Sequence, residues 1–100
     1  MTSNDIIRND IERYLRQNVM APRPSGLEGI KDYRISIELG RDTHSRNQVN
    51  ALDKLLRADP TTKAAYTGLV GRRFCFAFDT LEEKNNFRFH SKKMLANKYQ

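Results

Sequence analysis

The sequence predicts an α+β domain, a small antiparallel sheet covered by helices, and three stretches carry that prediction. The first is Arg72-Arg73-Phe74-Cys75-Phe76-Ala77-Phe78, with phenylalanine at every second position. Side chains of an extended segment point alternately to opposite faces, so Phe74, Phe76 and Phe78 share one face and Arg73, Cys75 and Ala77 the other. The second is residues 32–39, where Tyr33, Ile35, Ile37 and Leu39 alternate with Arg34, Ser36 and Glu38 as in a half-buried strand. The third is Ile7, Ile11, Tyr14, Leu15 and Val19, one apolar stripe at helical spacing. The expected strands run near 32–39 and 72–79. Two strands make a marginal sheet, so a third from 86–90, or completion by a partner, is expected.

Each remaining element follows from local signals. Ser3 or Asn4 can cap the first helix, near 4–19, with Asp5 well placed in its first turn. On its outer side Glu12 and Arg16 form an i,i+4 pair in the favourable order. Residues 20–31 hold Pro22, Pro24, Gly26 and Gly29, which break any regular element, so a mobile loop is expected there. Ser45 followed by Gln48 reads as a capping box, opening a helix near 46–58 with Val49, Leu52, Leu55 and Leu56 as its buried stripe. Asp59-Pro60 ends it and suits the start of a short helix near 60–67. After Thr80 two readings compete. Thr80 with Glu83 is another capping box and favours a C-terminal helix, whereas Phe87 and Phe89 alternate as in a hairpin strand. The helix is preferred.

A chain of 100 residues is the size of one domain and can bury a real core. No apolar run approaches the roughly 20 residues of a membrane helix, and the N-terminus shows no secretory pattern. Cys75, the single cysteine, excludes an internal disulfide and a thiolate zinc cluster. A cytoplasmic protein is expected. The net charge is +6, and its distribution is uneven: residues 1–40 are balanced, while residues 71–100 carry seven basic and three acidic side chains. Such a field favours polyanions or acidic protein surfaces.

Catalytic signals are weak. His44 and His90 could in principle share acid–base work, yet nothing in their spacing brings them together. Asp42 with His44 is half of a metal site at most, and Cys75 on a strand reads as a small buried hydrophobe. Phosphate-binding glycine loops, nucleophile elbows and dinucleotide fingerprints are missing. No enzyme, metal or cofactor is expected.

Under the hairpin reading, the element order resembles that of a winged helix-turn-helix. That resemblance implies a recognition helix opening at Pro60, with Thr61, Thr62, Lys63 and Tyr66 facing DNA. Gly71-Arg72-Arg73-Phe74-Cys75-Phe76 is weakly similar to the RNA-recognition signature, but it lacks the second glycine and the final aromatic. Core phenylalanines are the simpler reading. The expected function is non-catalytic binding of DNA or RNA through Arg72, Arg73, Arg88, Lys92, Lys93, Lys63 and Tyr66. The competing expectation is a small adaptor or inhibitor docked on a larger protein, such as a nucleic-acid-processing enzyme. An exposed sheet edge would also permit a homodimer.

Overall fold

A computed structural model describes residues 3–18 and 33–98, with side chains described as far as Lys93. The expected loop at 20–31 and Val19 lie outside the described residues. In chain order the elements are α1 (Ser3–Asn18), β1 (Tyr33–Glu38), α2 (Arg46–Ala58), a single 3-10 turn (Thr62–Ala64), β2 (Tyr66–Val70), β3 (Arg73–Phe78) and α3 (Leu81–Lys98). The fold is α+β: the three strands form one antiparallel sheet in the order β1-β3-β2.

The phenylalanine strand is the centre of that sheet. β3 pairs with β1 so that Ile35 faces Phe76 and Ile37 faces Phe74, and with β2 so that Tyr66 faces Phe76 and Leu69 faces Phe74. Phe74, Phe76 and Phe78 are at most 2% exposed. They pack with Ile7, Ile11 and Leu15 of α1, Val49, Leu52 and Leu56 of α2, and Phe87 of α3 in one core. Their burial leaves none of these three rings free to stack on a base. Phe87 sits between Phe76 and Phe78, with ring centroids at 4.8 and 5.1 Å.

The capping signals of α2 and α3 are realised, whereas Ser3 and Asn4 lie within α1, Ser3 bonding to His44 and Asn4 donating to the Gln48 carbonyl. Ser45 accepts from the Gln48 amide at 3.2 Å while the Gln48 side chain accepts from the Ser45 amide at 2.7 Å, completing the capping box of α2. Glu12 and Arg16 form their ion pair. Thr80 accepts from the Glu83 amide at 3.1 Å at the start of α3.

Two expectations are corrected. The 86–90 strand does not form, since those residues lie within α3; Phe87 reaches the core from a helix as well as it would from a hairpin. The 60–67 helix is reduced to one 3-10 turn: Asp59 caps the Thr61 and Thr62 amides at 2.9 and 3.0 Å and binds Arg8 at 2.8 Å, as a helix start would, but the Ala65 carbonyl already accepts from the Ala77 amide of β3 at 2.9 Å. The chain then leaves helical geometry and enters β2. The hairpin therefore exists one step earlier than the sequence suggests, and the recognition helix of the winged-helix resemblance has no counterpart.

Strand β2 carries a bulge. Tyr66 pairs with Phe76 and Gly68 with the adjacent Cys75, leaving Thr67 as the extra residue. This shift lets Tyr66 and Leu69 both face the core. Gly68 has φ +142°, a backbone conformation that residues with a Cβ rarely adopt. Between Val70 and Arg73 the turn has two residues. Gly71 is at φ +64° and Arg72 has negative φ, the pattern of a type II′ hairpin turn.

Candidate functional site

The second face of the sheet carries Arg34, Ser36 and Glu38 from β1, Arg73 and Cys75 from β3, and Thr67 and Val70 from β2, with only Ala77 buried among the β3 residues on that side. At one end of this face the β2–β3 turn meets the connection between β1 and α2. Glu38, Arg41, Arg46, Val70, Gly71, Arg72 and Arg73 line a shallow recess there of about 550 Å³. Four arginines and one glutamate thus line one recess.

Antiparallel pairing brings them together. Glu38, at the end of β1, lies opposite Arg73, at the start of β3, so whatever follows β1 must pass beside whatever precedes β3. Arg41 lies in the β1–α2 connection and Arg46 in the first turn of α2. The two basic stretches meet without any signal in their spacing along the chain.

The four arginines are held differently. Arg72 is built into the fold: its Nε donates to the Leu39 carbonyl at 3.2 Å, and its Nη2 donates to the Gly40 carbonyl at 3.3 Å and to the His44 carbonyl. Arg46 donates to the Gly71 carbonyl at 2.8 Å, which ties α2 to the hairpin turn. These contacts fix two positive charges at the rim. Arg73 is two-thirds exposed and reaches Glu38 only at 3.8 Å. A pair that open to water contributes little to stability, so Arg73 is available to an anion. Arg41 is exposed.

His44 supports this corner from inside. It is 2% exposed, with Nδ1 at 3.0 Å from Thr43 Oγ1 and Nε2 at 3.2 Å from Ser3 Oγ. Thr43 Oγ1 already donates to the Gly40 carbonyl, so it accepts from Nδ1–H, and the Ser3 hydroxyl donates to Nε2. Burial, reinforced by the nearby Arg72 charge, holds the imidazole pKa below its usual value. His44 is neutral and structural.

The other residues expected from sequence are placed apart from the recess. Arg88, Lys92 and Lys93 are exposed on α3, and none of them lines it. Lys63 lies on the 3-10 turn. Tyr66 is 7% exposed, packs against Phe74 and Phe76, and donates its hydroxyl to Asp53 at 2.5 Å. Burial and that acceptor push the phenol pKa strongly upward. Tyr66 is a core residue and has no free face for a base.

Arg41 and Arg46 are the residues that sequence reasoning missed. Recognising them required the strand order, because Arg41 is separated from Arg72 by 31 positions and the pairing that unites them is non-local. Among the described residues no comparable convergence supports catalysis. His90 is stacked on Tyr14, with centroids at 4.4 Å, while His44 is engaged with Ser3 and Thr43. Among the described residues no group of three His, Cys, Asp or Glu side chains could hold a metal ion, and no described helix is long and apolar enough to cross a membrane.

No family model, no curated protein and no solved structure matches this chain.

Proposed function

We propose that the protein is a non-catalytic nucleic-acid-binding domain whose arginine recess holds the phosphate backbone. The observation that carries this reading is the convergence of Arg41, Arg46, Arg72 and Arg73 on one recess, with Glu38 as the one acid among the described residues of its lining. Guanidinium groups present planar, bidentate donors that match phosphate oxygens. Two of these groups are fixed by backbone carbonyls, so a phosphate entering the recess meets donors already in place. The exposed cations of α3, Arg88, Lys92 and Lys93, add to the same positive field.

In this reading affinity comes mainly from displacing counterions from phosphates, with weak preference for sequence and a steep dependence on salt. The test is fluorescence anisotropy of labelled single- and double-stranded DNA and RNA, titrated at low and near-physiological salt. Saturable binding that weakens steeply with salt, and weakens further in the Arg41→Ala/Arg73→Ala double variant, is expected. No binding at low salt would overturn the reading.

A further inference from the structure

The recess accounts for phosphate contacts and leaves open which form of nucleic acid is bound. The outer face of α3 bears on that question. Phe89 is 69% exposed, while the four other phenylalanines are at most 2% exposed. It lies two positions from buried Phe87, about 200° around the helix, so its ring is directed away from the core. Arg88 adjoins it in sequence. Lys92 and Lys93 follow at i+3 and i+4 and therefore stand beside it on the helix surface, both exposed. Glu82 and Asn85, one to two turns earlier, lie on the same outer side. From Lys84 to the end of the chain there are five basic residues and no acidic one, so the charge around the ring is positive on its C-terminal side, with Glu82 an acid on its N-terminal side.

We infer that Phe89 is a stacking platform for an unpaired base, with Arg88, Lys92 and Lys93 holding the flanking phosphates, and that the preferred ligand is a single strand. This inference rests on the nucleic-acid reading above. Two structural facts favour a single strand over a duplex. The segment that would have entered a major groove is a three-residue 3-10 turn, too short to reach along base edges. The aromatic row of the sheet is buried, so Phe89 is the exposed phenylalanine among the described residues. An exposed aromatic ring flanked by Arg88, Lys92 and Lys93 suits an unstacked base, whose ring face and phosphates these side chains can engage together.

The chain has no tryptophan, which makes Phe89→Trp a direct probe. The experiment compares wild type, Phe89→Ala and Phe89→Trp against a labelled twenty-nucleotide oligo-dT, the matching oligo-U and a duplex of equal length, with circular dichroism to check folding. Wild type should bind the single strands more tightly than the duplex. Phe89→Ala should weaken single-strand binding by between about fivefold and a hundredfold with the salt slope unchanged. Phe89→Trp should restore affinity, and the indole fluorescence should be quenched on binding. Wild-type binding that is unaffected by Phe89→Ala, with no quenching in Phe89→Trp, would overturn the stacking role and leave the phosphate site standing. A duplex preference unchanged by either variant would do the same. If sedimentation shows a wild-type dimer that Phe89→Ala dissociates, the ring is a contact with a second copy and the inference fails. No binding of any strand at low salt removes the nucleic-acid reading and this inference with it.

Discussion

The guanidinium of Arg72 donates to the carbonyl of Leu39 at 3.2 Å across 33 positions of sequence. With its bonds to the carbonyls of Gly40 and His44, one side chain closes the β1–α2 connection against the β2–β3 turn. Charge-assisted hydrogen bonds of this kind contribute about 1.5 to 3 kcal/mol. Arg72→Ala should therefore lower the unfolding free energy by roughly that amount, read by urea denaturation. Arg72→Lys should recover only part of it, because an ammonium cannot reproduce the guanidinium fork. Full stability in Arg72→Ala would show that the three carbonyls do not depend on it.

Phe76 is fully buried at the centre of the sheet and packs against Tyr66 and Phe87. Phe76→Ala should cost about 3 to 5 kcal/mol as a core truncation. Denaturant unfolding checks this. A near-neutral effect would contradict the packing described.

The core was legible because it rests on periodicity. Phe74, Phe76 and Phe78 alternate, and Ile7, Ile11 and Leu15 recur at helical spacing, so both patterns state which side is buried. Strand β2 was not legible, for two physical reasons. Its bulge at Thr67 breaks the alternation, so Tyr66 and Leu69 share a face although three positions apart. Gly68 within it also reads as a stop. The helix foreseen near 60–67 failed because Asp59-Pro60 is compatible with both a helix start and a capped single turn, and the pull of β3 on the following residues is non-local. Arg72 and Arg73 were visible as a basic pair, while Arg41 and Arg46 joined them only through β1–β3 pairing.

Gly68 at φ +142° supplies a prediction that separates backbone from packing. A Cβ there would lie 3.6 Å from Arg57 Nη2, an ordinary contact, so space is not the obstacle. Gly68→Ala should nevertheless destabilise the domain by about 1 to 3 kcal/mol, because the conformation itself is unfavourable with a Cβ. An unchanged denaturation midpoint would indicate that the bulge relaxes to accommodate alanine.

His44 and Asp59 set how stability responds to acid. The folded His44 has a lowered pKa, from burial and then from Arg72. Below about 6.5 the unfolded chain binds a proton that the folded chain resists. Stability is therefore complete above that pH and declines as pH falls toward the folded value. Burial alone would raise Asp59, but the Thr62 amide, Arg8 and the Thr61 amide outweigh it and hold the carboxyl low. Its contribution is present above the usual carboxylate range and is lost at lower pH than that of His44. Denaturation midpoints between pH 8 and pH 5 should fall in wild type and flatten in His44→Gln. An equal slope in both would remove His44 as the source.

The arginine recess predicts a change in salt slope rather than a simple loss of affinity. Each phosphate neutralised contributes about 0.7 to 0.9 to the slope of log affinity against log salt. Arg41 and Arg73 are the exposed members of the cluster, and Arg72 must be left alone because its removal would confound binding with stability. Arg41→Ala/Arg73→Ala should thus lower the slope by about 1 to 2, with melting behaviour close to wild type since neither side chain is buried. The single-strand preference assigned to Phe89 should persist in this variant, because α3 contributes no residue to the recess. An unaltered slope would place the phosphate contacts elsewhere on the basic surface, with Arg88, Lys92 and Lys93 the next residues to replace.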